Sequence, residues 1–290
     1  MTSRQDERLI DLHMFCSNTP QKSHHTATII ENELVAERTF RLRISATELA
    51  ERAMPGQFVM LRLTAGDAPL LGRPLGIYRT FDDGSMDFVY LVVGKMTERL
   101  SLLPVGTPLN VWGTLGNGWC CDDNERERYD NFVMVAGGCG HTPFYRLIQH
   151  WQRSPNPPRL TFLYGAKTKT RISCIDDFKS LGIEVKVATD DGTFGHSGLI
   201  TKLIGSSIDK HNERTKLLAC GPSPMLRAAA SEAKRLKLPC DVSLESPMSC
   251  GLGICFGCVV EYQDANNANE WDYKRTCVDG PVFDAYRLRW

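Results

Sequence analysis

No run in this 290-residue chain is long and apolar enough to span a bilayer. Its first 20 residues, MTSRQDERLIDLHMFCSNTP, lack an apolar core of signal-peptide length, because Arg4, Asp6, Glu7, Arg8 and Asp11 interrupt them. Neither a membrane span nor export is therefore expected. A surplus of one charge is also missing: 34 Lys and Arg face 34 Asp and Glu. Phosphate backbones are normally met by a basic excess, so nucleic acid is not an expected partner. A structural zinc site would want two C-x2-C pairs or His mixed with Cys. Only one C-x2-C exists here, and no His follows Cys220.

Cysteine itself is plentiful. There are eleven, an odd number, and without an export signal they point to the reducing cytoplasm rather than to a disulfide framework. Cys16, Cys120, Cys121 and Cys174 follow no ligand spacing and read as structural or incidental thiols. Four others carry the strongest signal. Cys250, Cys255 and Cys258 lie in CGLGICFGC, and Cys277 closes KRTC after 18 intervening residues. The order C-x4-C-x2-C…C is the plant-type ligand pattern of a [2Fe–2S] cluster. Gly251, Gly253 and Gly257 let the backbone curl around the sulfides. Such a cluster moves one electron at a time, which implies an electron carrier.

Apolar content of 42% and charged content of 23% are those of an ordinary globular protein, and the length suffices for two or three domains. Residues 1–25 read as a frayed extension with one short helix. Residues 26–115 read as short strands: TATIIENELV, TFRLRIS, FVMLRL, DFVYLVV and LNVWG are separated by Pro55–Gly56, Asp82–Asp83–Gly84 and Pro104–Val105–Gly106. That pattern predicts an antiparallel sandwich or barrel with little helix. The polar run 121–130 reads as a linker. Beyond it, FVMVA, LTFLY, IEVKVA, KLLAC and DVSL alternate with helical or loop segments, as in a parallel α/β sheet. The clearest helix covers 223–237, with Met225, Leu226, Ala229, Ala230, Ala233 and Leu236 on its apolar face and Arg227, Lys234, Arg235 and Lys237 on the other. Near the C-terminus, EYQDANNANEWDY reads as an exposed loop, marked by Asn266, Asn267 and Asn269.

Two turns suggest a nucleotide. VAGGCGHTPFYRL places Gly137, Gly138 and Gly140 between a strand and a helix, where backbone N–H groups favour a diphosphate. The run is not G-x-G-x-x-G, and alone it could be a tight connection. Cys220–Gly221–Pro222 repeats the arrangement after a later strand, on the edge where ligands of open α/β sheets sit. RPLG (73–76) sets a cation beside a rigid proline, between predicted strands. By itself Arg73 could be a solvated loop cation, or it could pair with a diphosphate.

Together, PGQF (55–58), RPLG, GTLGNGW (113–119), VAGGCGHTP (135–143), TDDGTFGHSGLIT (189–201), ACGPSPML (219–226), SLESPMSCGLGICFGC (243–258) and CVDGPVF (277–283) resemble one family. It is the electron-transfer subunit of the class 1B, NAD-dependent dihydroorotate dehydrogenases, within the ferredoxin–NADP reductase superfamily. The resemblance covers residues 26–284. It implies an antiparallel β-barrel that binds FAD (26–120), a parallel α/β domain that binds NAD (130–240) and a C-terminal [2Fe–2S] segment (241–290). The cluster ligands would be Cys250, Cys255, Cys258 and Cys277. Arg73, Pro74, Leu75 and Gly76 would contact the flavin and its diphosphate, with Val89, Tyr90, Leu91, Met96 and Thr97 lining the rest. Gly137, Gly138 and Gly140 would face the NAD diphosphate, and Cys220, Gly221 and Pro222 the nicotinamide. Gly76, Leu91 and Met96 stand where the family usually has Ser, Arg and Gly, and the final ligand loop is longer. Implied partners are NAD and an FMN-containing, dihydroorotate-oxidising subunit, in a cytoplasmic heterotetramer of pyrimidine biosynthesis. No side chain is required as a general acid or base; Glu245, His141 and His196 read as structural or as polar site-liners. Hydrogenase gamma subunits and bifurcating NADH–ferredoxin:NADP oxidoreductases share the barrel, turns and spacing, and a redox sensor is the non-enzymatic alternative.

Overall fold

The computed structural model describes residues 23–64, 69–119, 128–208, 214–264, 267 and 270–290. The short helix expected within 1–25, Cys16, Cys120, Cys121, most of the linker, and Asn266 and Asn269 lie outside those residues.

Six strands close an antiparallel barrel: β1 (Ser23–Ala36), β2 (Thr39–Ser45), β3 (Phe58–Leu63), β4 (Arg73–Thr80), β5 (Ser85–Leu91) and β6 (Pro108–Leu115), in the order β1-β2-β5-β4-β3-β6. Period-2 alternation explains the wall. In β2, Leu42 and Ile44 are fully buried in the barrel core while Arg41 and Arg43 point outward. The barrel begins at Ser23, inside the segment read as an extension. RPLG is not a connection between strands: it is the first half of β4, paired with β3 from Leu61↔Arg73 to Phe58↔Gly76. Its Pro and Gly disguised it as a turn. Two short helices also interrupt the strands, α1 (Thr47–Arg52) and α2 (Lys95–Ser101). Each is too short for a helical period to show, yet Leu49 and Leu100 plug the barrel core.

The second layer contains β7 (Asn131–Gly137), α3 (Thr142–Gln152), β8 (Arg159–Ala166), α4 (Ile175–Ser180), β9 (Glu184–Thr189), β10 (His196–Ser197), β11 (Thr215–Cys220), α5 (Ser223–Arg235) and β12 (Cys240–Ser243). Leu226, Ala229, Ala230 and Ala233 bury the apolar face of α5 against the sheet. Two more strands pair as a hairpin, β13 (Val259–Gln263) and β14 (Trp271–Arg275), from Val259↔Arg275 to Gln263↔Trp271. The Asn-rich run is therefore a strand at each end, 261–263 and 271–273; the alternation of VVEYQ was masked by the polar residues after it. Finally β15 (Val282–Asp284) joins β12 antiparallel, completing the sheet order β10-β9-β8-β7-β11-β12-β15. The cysteine-bearing loop thus leaves the α/β sheet at β12 and re-enters it at β15.

Charge ties the layers together. Asp87 is fully buried on β5, 2.7 Å from Arg43 Nε and 2.9 Å from Arg79 Nε, and Arg79 continues to Asp177 of α4 at 3.2 Å. A second link joins Arg171 to Glu37 at 2.7 Å. Tyr78, Tyr145 and Phe178 pack between these bridges. Among the described residues no helix is long and apolar enough to cross a membrane.

Candidate functional site

The four C-terminal cysteines fall into two pairs. Cys250 Sγ lies 3.3 Å from Cys255 Sγ, and Cys258 and Cys277 are buried together in one cluster, each thiol influencing the other. No three His, Cys, Asp or Glu side chains among the described residues are arranged around a single metal ion. Two thiol pairs instead match a binuclear cluster, in which each iron takes two terminal thiolates. Burial and the neighbouring Cys258 thiol push Cys277 up to about 12. Burial also opposes ionisation of Cys250, but the N–H groups of Leu252 and Cys255, the Cys255 thiol and the Ile254 N–H overcome it and hold the thiol down at about 6. That donor set suits anionic sulfur. The residues present fit a [2Fe–2S] group.

Only two of the three loop glycines are needed for backbone shape. Gly251 (φ +69°) and Gly253 (φ +80°) occupy the left-handed region, and a Cβ on Gly251 would stand 2.5 Å from Met60 Cγ. Gly257 has ordinary contact distances, whereas Phe256 (φ 55°) takes the left-handed position beside it.

Sequence reasoning missed how this loop is seated. Trp112 of β6 donates from Nε1 to the Cys250 carbonyl at 2.9 Å. The far edge of its indole lies so close to Gly72 that a Cβ there would be 2.6 Å from it. Trp112 therefore wedges between the cysteine loop and the start of β4. Phe58, Met60 and Leu115 of the barrel form an apolar floor under Met248, Cys258 and Cys277. Asn117, within GTLGNGW, clamps the loop that follows Cys277: its Nδ2 donates to Asp279 O (3.2 Å) and Val282 O (2.9 Å), and its Oδ1 accepts from Val282 N (3.2 Å). Iron ligation does not call for DGPVF, but this docking does. The pairing of two distant motifs through one amide leaves no trace in spacing.

On the flavin side, Arg73 is exposed at the head of β4 and donates from Nη1 to the Leu71 and Gly72 carbonyls at 3.1 and 3.0 Å. Pro74 is half-buried beside it, Leu75 points into the barrel, and Gly76 faces Thr142 at the start of α3. Val89 packs between the layers, and Leu91 reaches the interlayer cavity. The other side chains are engaged elsewhere. Tyr90 packs in the barrel and donates to Asn32 Oδ1 (3.0 Å), Met96 lies in the barrel core, and Thr97 Oγ1 accepts from Val93 N and Gly94 N. An exposed guanidinium suits a diphosphate, although Arg73 does not line the interlayer cavity itself.

That cavity, about 390 Å³, opens where sheet order reverses between β7 and β11. Gly137 and Gly138 line it from the turn after β7, and Pro222 and Met225 from the start of α5. Close approach is built in: a Cβ on Gly140 would sit 2.2 Å from Cys220 O, and one on Gly221 3.0 Å from Gly137 N. Gly138 (φ +54°) faces open space. Two thiols stand nearby, Cys220 buried and Cys139 half-buried. Loss of solvation pushes Cys139 up to about 12 and also raises Cys220, and the charge of Glu245, itself exposed, adds to both shifts. His141 is fully buried against Ser173 Oγ (2.8 Å), and burial lowers it to about 3, so it stays neutral near pH 7. His196 is exposed on β10.

The two aspartates of TDDG diverge. Asp190 lines the cavity, whereas Asp191 turns away and accepts from Thr193 N (3.0 Å) and Oγ1 (2.7 Å). A 2′-phosphate would meet the Asp190 charge, with Lys167 opposing it on the same wall. The expected result is a kcat/KM for NADH about tenfold or more above that for NADPH. Asp190→Ser should narrow that ratio and Asp191→Ser should leave it; equal ratios in the parent would contradict the assignment.

Comparison with known proteins agrees with this geometry. Residues 245–289 match the family model "Iron-sulfur cluster binding domain of dihydroorotate dehydrogenase B", and residues 134–231 match "Oxidoreductase NAD-binding domain". The chain is 36% identical over 259 residues to the dihydroorotate dehydrogenase B (NAD(+)) electron transfer subunit of Geobacillus kaustophilus, covering 89% of this chain and 95% of that one. It is 31% identical to the subunit of the same name from Desulforamulus reducens, covering 91% and 97%. Among solved structures, an NADH-dependent reduced ferredoxin–NADP oxidoreductase superposes with a TM-score of 0.78 at 30% identity, covering 91% of this chain and 89% of that one. A ferredoxin–NADP+ reductase from Neisseria gonorrhoeae with bound FAD and NADP shares the fold, at a TM-score of 0.61 and 14% identity over 73% of this chain and 91% of that one.

Proposed function

Because this chain belongs to the family of electron-transfer subunits of NAD-dependent dihydroorotate dehydrogenase B, we infer that it carries electrons from dihydroorotate oxidation, by way of a [2Fe–2S] cluster and FAD, to NAD+ in pyrimidine biosynthesis. The observation that carries the reading is the thiol cradle seated, through Trp112, against the strand that bears Arg73. The partner is read as an FMN-containing catalytic subunit, in a cytoplasmic heterotetramer. An apolar rim supports a protein partner at the cluster: Ile254 (76% exposed) and Phe256 (61% exposed) flank Cys255, with Tyr273 of the hairpin also exposed.

When bound, the cluster supplies one-electron transfer and FAD exchanges single electrons for a hydride. The chain's own part is to hold and space these groups. Cys250, Cys255, Cys258 and Cys277 hold the iron, while Trp112 and Asn117 fix the ligand loops to the barrel. Arg73 anchors the flavin diphosphate, with Pro74, Leu75, Gly76, Val89, Tyr90, Leu91, Met96 and Thr97 forming that wall of the site through backbone or side chain. Gly137, Gly138 and Gly140 leave room for the NAD diphosphate, and Cys220, Gly221 and Pro222 border the nicotinamide. The names of the curated relatives favour the dihydroorotate route over that of a ferredoxin-linked complex.

Coexpression with an FMN-containing dihydroorotate-oxidising subunit tests the route. The two should copurify and reduce NAD+ with dihydroorotate, and a chain that neither binds nor serves that subunit would contradict it. Arg73→Ala should release FAD while the iron–sulfur absorption persists, because the cluster is held by other segments. Gly76→Ser should be tolerated: φ at Gly76 lies outside the left-handed region, and the new Cβ needs Thr142 Oγ1, at 3.0 Å, to give by a few tenths of an ångström. Its effect should appear in flavin potential or hydride-transfer rate more than in FAD affinity. FAD titration of the apo-forms and timed NADH oxidation check both, and an Arg73→Ala chain that holds FAD as tightly as the parent would overturn the anchor.

A further inference from the structure

A second cavity lies on the far side of α5 from the dinucleotide cavity. It is an open groove of about 750 Å³ between that helix and the last residues of the chain. Arg227, Ser231 and Lys234 line one wall, and their spacing of four and three residues puts them on one stripe of the helix. Lys237, just past the helix end at φ 57°, adds a third cation. Leu238, Pro239 and Leu288 supply an apolar floor, and the rings of Tyr286 and Trp290 stand at the margin. Both rings are tethered, Tyr286 by donating from its hydroxyl to Leu238 O and Trp290 by donating from Nε1 to Ala285 O at 3.1 Å.

The cations set this groove apart from a solvated helix face. Arg235, which is not in the groove wall, is paired with Glu232 at 2.6 Å. Arg227, Lys234 and Lys237 have no ion pair or side-chain hydrogen bond among the described residues. Against their three charges stands about half a negative charge from the helix C-terminus. Complementing the helix end would explain Lys234 and Lys237, but Arg227 lies in the first half of α5. The groove therefore keeps an uncompensated positive field over an apolar floor bordered by two fixed aromatic rings.

We propose that this groove binds a nucleoside monophosphate, with the phosphate against Arg227, Lys234 and Lys237 and the base against Trp290 and Tyr286. A lone phosphate would leave most of the volume and both rings unused, whereas small-molecule sites of roughly 300–1,000 Å³ hold ligands of nucleotide size. Charge-assisted bonds give the phosphate its hold, and an aromatic face accepts any base. The groove is independent of the dinucleotide cavity, to which the same helix lends Pro224, Met225 and Ala228 from its other side.

The test is calorimetric titration of the FAD- and cluster-loaded protein with cytidine 5′-monophosphate, with NAD+ saturating so that the dinucleotide cavity is filled. Saturable binding of one equivalent is expected, at least about tenfold weaker in Arg227→Glu/Lys234→Glu and several-fold weaker in Trp290→Ala. All three positions are exposed, so flavin and cluster content should match the parent and report an intact fold. Inorganic phosphate should bind far more weakly than the nucleotide. No saturable heat, binding that survives the charge reversal, or phosphate binding as tightly as the nucleotide would each overturn the proposal.

Discussion

Cys255→Ser should yield a folded chain that has lost both iron and labile sulfide, where the parent carries about two of each. Cys255 is the exposed member of the four, so its replacement removes a ligand without opening the apolar floor beneath Cys258 and Cys277. The remaining three thiols leave one iron a terminal ligand short, and serine oxygen is a poor substitute for a soft thiolate. In the complex, dihydroorotate-dependent NAD+ reduction should stop while NADH still reduces a dye through bound FAD. Iron and sulfide analysis with visible spectra gives the answer, and a parent chain holding one zinc and no sulfide would end the cluster assignment. Asn117→Ala should act more mildly on the same centre. It leaves all four ligands but frees the Asp279–Val282 turn from three hydrogen bonds.

Gly140→Ala is expected to disable the dinucleotide site through the backbone. The added Cβ would lie 2.2 Å from Cys220 O and 2.7 Å from Gly221 N, and both are main-chain atoms held by the pairing of β7 with β11. No rotamer change relieves such a clash, so the two strands must part where the cavity opens. Overpacking of this kind costs about 1–3 kcal/mol, and the NADH Kd should rise well beyond that of a neighbouring control. Gly138→Ala is that control: its Cβ meets nothing within 4 Å, and only the left-handed φ of +54° is penalised, by about 1–2 kcal/mol. Thermal unfolding and NADH titration of both variants make the comparison. Similar losses in the two would mean that conformation, not close approach, governs this turn.

Features set by local chemistry were readable along the chain. Strands such as TFRLRIS and FVMVA declare themselves by alternation or by a continuous apolar run, and the helix at 223–237 by its periodic face. RPLG did not, because proline and glycine look the same at a strand end as in a turn; its place in β4 depends on pairing with β3. The hairpin of β13 and β14 was hidden for a related reason, since its polar tip outweighed strands of only 5 residues each.

The amino-acid sequence alone determined the chemistry this protein can hold. Four cysteines in plant-type order, two glycine turns after strands and one arginine beside a proline follow from residue identity and spacing, which coordination and backbone approach act on directly. The tertiary structure decided what those groups face. It put Trp112 between the cysteine loop and the strand of Arg73, joined GTLGNGW to DGPVF through Asn117, and turned Tyr90 and Met96 into the barrel. It also separated Asp190 from Asp191, adjacent in the chain but on opposite sides of a turn. Such relations come from strand register and side-chain packing between residues as far as 165 positions apart, and spacing within a motif carries no record of them.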